Sequence, residues 1–230
     1  MKRIAVLVSG GGSNLQALLD AAKNGDLPNG EICLVLSSRA DAFALTRAEN
    51  ANVLGMVRSP KDYPTREAYT EVLIRELQAM NIDLVVLAGF MFVLSPRFCE
   101  VFEHRIINVH PSLIPAFCGD GFYGLHVHER ALQAGVKVTG ATVHFVTAET
   151  DAGPIILQKA IDIEFNDTPE ITDGGEIILQ KAVDVLPGDT PELLQRRVME
   201  QCEWKLLPRA VSLFCDGKLK VKDGIVQIEE

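Results

Sequence analysis

An α/β architecture, an open and mostly parallel doubly wound sheet, is the fold class that three features of the sequence predict. Short all-apolar runs alternate with segments of helical period, as repeated strand–helix–strand units require. The runs are continuously hydrophobic, which marks strands covered by helices on both faces. The first of them, residues 4–8, passes through the glycine loop Ser9-Gly10-Gly11-Gly12-Ser13-Asn14 directly into a helical pattern. A chain of 230 residues, 47% hydrophobic and 23% charged, can bury a full core as one such domain.

Leu15, Leu18, Leu19 and Ala22 after the glycine loop share one helix face. Glycines let backbone N–H groups approach an anion closely, and Ser13 or Asn14 can cap the helix or add a donor. The loop has neither the glycine spacing of a dinucleotide fingerprint nor the Gly-Lys-Ser/Thr of a P-loop. A second unit follows, with a strand at 31–37, a helix at 40–50 and a strand at 53–57. Another helix opens at Thr65 and runs to about Met80. Arg66 stands in its first turn, where the helix dipole disfavours a cation; contact with a ligand anion would explain it. The apolar strand 83–89 runs out into Phe90-Met91-Phe92-Val93-Leu94, an apolar loop that either core or a flat ligand must cover. Ser95-Pro96 then supplies a helix cap and a proline at the first helical position.

The chemistry concentrates in Ile106-Ile107-Asn108-Val109-His110-Pro111-Ser112-Leu113. Ile106, Ile107 and Val109 predict a short buried strand, and Asn108 and His110, two apart, leave it on the same face. An amide donor and a titratable ring thus stop where a loop begins, at the carboxyl end of a strand, where open α/β sheets place ligands. A glycine- and aromatic-rich loop, 117–124, leads to a helix through Leu132. His126 and His128 on that stretch lack a third ligand nearby, so no metal is expected. A strand at 136–146 carries His144, an acidic loop spans 147–154, and a strand is expected at 155–163. A long amphipathic helix at 190–214 and a hairpin at 219–228, turning on Asp223-Gly224, close the chain.

One segment is written twice. Asp151-Ala-Gly-Pro-Ile-Ile-Leu-Gln-Lys-Ala-Ile-Asp returns as Asp173-Gly-Gly-Glu-Ile-Ile-Leu-Gln-Lys-Ala-Val-Asp, an offset of 173 − 151 = 22 residues, and Asp-Thr-Pro-Glu follows both copies. Two near-identical strands then compete for one slot. The displaced copy is expected to add an edge hairpin or to form a surface excursion.

A net charge of −9 argues against a nucleic-acid partner, and no apolar run is long enough to span a membrane. Five scattered cysteines without a Cys-x-x-Cys suit a reducing, cytoplasmic setting.

Taken together, Ser9-Gly10-Gly11-Gly12-Ser13-Asn14-Leu15-Gln16, Leu87-Ala88-Gly89-Phe90-Met91, Asn108-Val109-His110-Pro111-Ser112-Leu113, His144-Phe145-Val146-Thr147, and Asp151 with Gly153-Pro154-Ile155-Ile156-Leu157-Gln158 resemble the folate-dependent phosphoribosylglycinamide formyltransferases of purine synthesis. The resemblance implies a Rossmann-like phosphate-binding half, 1–110, and a folate and catalytic half, 111–230, with the duplication at about 151–192 inside it. It implies transfer of a formyl group from 10-formyltetrahydrofolate to the amine of phosphoribosylglycinamide, by a monomer or homodimer. By position, Asn108 would hold the oxyanion, His110 would move the proton, and Asp151 would orient water or raise the histidine's pKa. Gly11, Gly12, Ser13 and Asn14 would take the phosphate and Glu203 the ribose hydroxyls. Met91, Phe92, Val93 and Leu94 would face the pterin, with Arg66, Thr147, Asn108 and Asp151 also on the folate side. Phe92 stands where some relatives carry arginine. A deformylase of the same folate, or a folate- or nucleotide-binding protein impaired by the duplication, are the alternatives. The resemblance favours Asp151 over Asp173 as the catalytic acid, because Asp151 keeps its distance from His144.

Overall fold

The computed structural model describes residues 1–158, 182–184 and 189–229. Seven strands form one sheet. They are β1 (Lys2–Val8), β2 (Gly30–Ser37), β3 (Leu54–Val57), β4 (Leu84–Leu87), β5 (Ile106–His110), β7 (Thr142–Phe145) and β8 (Ile155–Gln158), in the order β3-β2-β1-β4-β5-β7-β8. The first five are mutually parallel, and β7 and β8 join antiparallel. Helices α1 (Ser13–Asn24), α2 (Phe43–Asn50), α3 (Arg66–Ala79), α4 (Pro96–Val101), α5 (Leu125–Gln133), α6 (Pro191–Val198) and α7 (Trp204–Cys215) flank it. The strands are buried on both faces, as their unbroken hydrophobicity requires. Along β1, Ile4, Val6 and Val8 enter one core with Leu15, Leu18, Val198 and Leu207, while Ala5 and Leu7 enter a second with Tyr69, Leu73, Leu77 and Phe98. Period-two alternation thus divides one strand between two helical layers.

Several expected elements are shorter than their sequence pattern. The helix predicted from residue 40 begins at Phe43, because Ser37 and Arg39 first exchange hydrogen bonds through the serine hydroxyl and Arg39 pairs with Asp41. The expected strand 136–146 is two, β6 (Val138–Gly140) and β7, broken at Ala141. The single helix expected at 190–214 is interrupted by a π-helical turn, Met199–Glu203, between α6 and α7. Pro208 lies in the second turn of α7, has no N–H for the Trp204 carbonyl, and so loosens the ladder where the π turn ends. That turn carries Glu203 inward, where it is 6% exposed.

The two copies can be compared where their strands are described. In β7–β8, Thr142 faces Gln158 and Val143 faces Leu157. Continuing that register two steps would set residue 160 opposite Gly140. The residue opposite Gly140 is Ala182, in β9 (Ala182–Asp184), and 182 − 160 = 22 is the repeat offset. The first copy therefore begins the strand and the second copy completes it, in one register. The expected strand beyond Gln158, the expected excursion or hairpin, and Asp173 lie outside the described residues.

Candidate active site

The glycine loop turns at Gly12, whose φ of 71° is left-handed and whose missing Cβ would sit 2.7 Å from Cβ of Ala44. Glycine is needed there twice over. No side chain caps α1, so its first-turn N–H groups stay open beside the loop. Neither Ser13 nor Asn14 fills the capping role that the sequence allowed. Asn14 instead donates from Nδ2 to Glu203 Oε2 at 2.6 Å, tying α1 to the π turn. Burial pushes the Glu203 carboxyl up to about 7.

Antiparallel register decides the next contact. Asn108 on β5 faces His144 on β7, so both side chains leave the same face, with Asn108 Nδ2 3.2 Å from His144 Nε2. Nδ1 of His144 donates to the carbonyl of Phe145 at 2.9 Å, which leaves Nε2 to face the Asn108 amide. One amide N–H of Asn108 is thereby fixed and the other is turned outward.

Asp151 enters from the loop after β7. Its Oδ2 lies 3.4 Å from Nδ1 of His110 and its Oδ1 3.5 Å from Nε2 of His144, and Oδ2 accepts from the Gly119 amide at 3.0 Å. The loop reaches this position through a left-handed backbone at Asp151 (φ 53°), and a Cβ at Gly153 would collide with the carbonyl oxygen of Phe145. Burial drives the Asp151 carboxyl up, but the rings of His144 and His110 and the Gly119 amide outweigh it, and it stays below the ordinary carboxylate value. At His110 the balance is reversed. Burial holds its imidazolium below the ordinary histidine value, against the opposing pull of Asp151 and the Phe117 carbonyl. Asp151 thus raises this pKa as expected, but burial lowers it by more, so the net shift is downward. Nε2 of His110 donates to Phe117 O at 2.9 Å, so in the neutral ring Nδ1 presents its lone pair towards Asp151.

A cavity of about 660 Å³ contains this group. Ser13, Asn14 and Glu203 line one side, and Met91, Phe92, Val93, Leu94 and Thr147 another. The apolar loop divides its cover: Phe90, Phe92 and Leu94 pack on the second core, while Met91 and Val93 are each 55% exposed. Gly11 and Gly12 stand behind Ser13 in the loop and do not line the cavity. Arg66 is not brought to it either; it is exposed and pairs with Glu67 at 3.1 Å. His126 and His128, two apart on a helix, diverge, and no cluster of three potential metal ligands occurs among the described residues.

His144 is the site residue that spacing alone left without a role, since which strand pairs with β5 is not local information. The Phe117 carbonyl and Gly119 amide are backbone groups, which no side-chain motif announces.

Residues 2–172 match the family model described as formyl transferase. A phosphoribosylglycinamide formyltransferase of Haemophilus influenzae is 36% identical over 229 residues, covering 100% of this chain and 94% of that protein. One from Escherichia coli strain K12 is 38% identical, over 98% of this chain and 93% of that protein. In three dimensions the chain is similar to glycinamide ribonucleotide transformylase 1 from Symbiobacterium toebii, with a TM-score of 0.85 and 43% identity over 100% of this chain and 95% of that one.

Proposed function

The chain belongs to the formyl transferase family, and from that premise we propose that it transfers the formyl group of 10-formyltetrahydrofolate to the amine of phosphoribosylglycinamide. The observation that carries the reading is the joined group Asn108, His144, Asp151 and His110, with successive contacts of 3.2 to 3.5 Å, on the wall of one cavity. The outward N–H of Asn108 meets the oxygen of the formyl carbonyl as it gains negative charge, a preorganised donor for the tetrahedral adduct. His110 enters the reaction neutral and takes a proton at Nδ1 from the attacking amine nitrogen. Asp151 Oδ2 shares the resulting charge. The new bond joins formyl carbon to amine nitrogen, the bond from that carbon to the folate nitrogen breaks, and the proton passes to the departing nitrogen.

In the same reading Gly11, Gly12, Ser13 and Asn14 take the phosphate through backbone N–H groups at the open end of α1, and Glu203 takes the ribose hydroxyls. Met91, Phe92, Val93 and Leu94 face the pterin beside Thr147, with Arg66, outside the cavity, on the folate side. The phosphate cradle thus belongs to residues 1–110, while the folate side draws Met91 to Leu94 from that half and Thr147 and Asp151 from residues 111–230. Asp151 of the first copy, already against both histidines, is the working acid.

The test is formation of the formylated amine by the purified chain given both substrates. Asn108→Ala, His110→Ala and Asp151→Asn are each expected to lower kcat by on the order of 100-fold or more, with circular dichroism unchanged. Formate released to water regardless of the amine would favour a deformylase. Ligand binding without any transfer would favour the impaired binding protein.

A further inference from the structure

Buried polar atoms without partners occur among the residues that line this cavity. Among the described residues four such side-chain atoms occur, and three are Oδ1 of Asn14 and the two ring nitrogens of His128. Both residues line the cavity, together with Glu203 and His110. His128 lies on α5 with no exposed surface, so its ring can find neither protein partner nor bulk water. Leaving a buried donor and acceptor unpaired is costly, and a fold sustains it where a ligand completes the bonds.

What these atoms offer is neutral chemistry. Burial pushes His128 down to about 4, with the charge of His110 acting in the same direction, so at pH 7 the ring presents one N–H and one lone pair. Asn14 contributes a carbonyl oxygen, because its amide is already bound to Glu203. A phosphate would meet one donor and two acceptors here and be repelled by the acceptors. A hydroxyl or an amide, each both donor and acceptor, matches. His126 pairs with Glu129 at 2.9 Å on the exposed side of α5, so the two histidines do not act together.

We propose that His128 is a binding residue for the acceptor substrate, its neutral imidazole hydrogen-bonded to the hydroxyl or amide portion that joins the phosphate to the reacting amine, with Asn14 Oδ1 accepting from that same portion. This deepens the formyl-transfer reading and rests on it. Contact requires a local shift, since both nitrogens are shielded in this conformation. The segment entering α5 holds Gly119, Gly121 and Gly124 in left-handed backbones that can absorb one.

Steady-state kinetics of His128→Ala and His128→Asn test it. In His128→Ala the KM for phosphoribosylglycinamide is expected to rise about tenfold to a hundredfold, and that for 10-formyltetrahydrofolate by no more than about twofold. His128→Asn, uncharged and still both donor and acceptor, is expected to recover most of the loss. An unchanged acceptor KM, or equal rises for both substrates, overturns the proposal. Should His128→Ala fail to fold, ring nitrogen resonances of the wild-type chain, assigned with His128→Asn, decide. The His128 signal should move on adding phosphoribosylglycinamide and not on adding 10-formyltetrahydrofolate; a signal indifferent to saturating acceptor sinks the assignment. A wild-type chain that transfers no formyl group removes the parent reading, whereas transfer with an indifferent His128 removes only this one.

Discussion

Two opposed effects set the protonation of His110, and their order has a kinetic consequence. Burial disfavours the imidazolium and Asp151 favours it, with burial the stronger. Asp151→Asn removes the larger of the favourable partners and leaves burial in place, so the histidine pKa falls further. The acid limb of kcat/KM is then expected to move to lower pH, while kcat itself drops on the order of 100-fold. A limb that stays in place or moves up would show that the two side chains do not act as a pair. Glu203 carries a second pH effect, on stability. Its folded value of about 7 lies above the ordinary 4.5, so between those values the folded chain keeps a proton that the unfolded chain has released. Stability is therefore lost as pH rises through that window. Glu203→Gln abolishes this loss, and its advantage over wild type should grow from pH 4 to pH 8, by about 3 kcal/mol at most, in denaturant titrations. Asn108 and His110 were legible as a pair because strand alternation puts residues two apart on one face. The partnership of Asn108 with His144 was not, because it depends on which strand lies across the ladder.

Elements in this chain begin and end where side chains compete with the backbone. Pro208 and the π turn split what hydrophobic spacing reads as one helix, and the split places Glu203 against Asn14. Spacing could not show this, since the pattern of apolar residues runs through both halves. The repeat gives the sharpest prediction at this scale. Because β8 comes from the first copy and β9 from the second in one register, deleting residues 159–180 joins Gln158 directly to Lys181 without shifting either strand. The shortened chain is expected to fold, to retain formyl transfer, and to melt at the same or a higher temperature, since fewer residues between the two strands mean less chain entropy lost on pairing them. Loss of folding would show that the two strands do not share a slot. Gly153 is a further check: Gly153→Ala meets the Phe145 carbonyl, and a loss of activity on the order of 100-fold from a displaced Asp151 is the expected outcome.

At the scale of the whole molecule, the sheet separates two cores that meet only through its strands. Leu73 lies in one and Leu207 in the other, both fully buried. Leu73→Ala and Leu207→Ala are each expected to cost about 2–5 kcal/mol, and the double variant their sum within about 0.5 kcal/mol, in equilibrium unfolding. A larger deviation would mean that the layers communicate through the sheet. No helix of the described residues is long and apolar enough to cross a membrane. The sequence by itself determined the layered α/β class, the glycine turn before α1 and the strand that presents Asn108 and His110, because hydrophobic period and backbone permissiveness are local properties. Only the tertiary structure decided that His144 orients the amide, that burial outweighs Asp151 at His110, that Arg66 stays outside the cavity, and that two copies share one strand. Each of these depends on which distant segments become neighbours and how much water they exclude, and neither quantity is written in any single stretch of the chain.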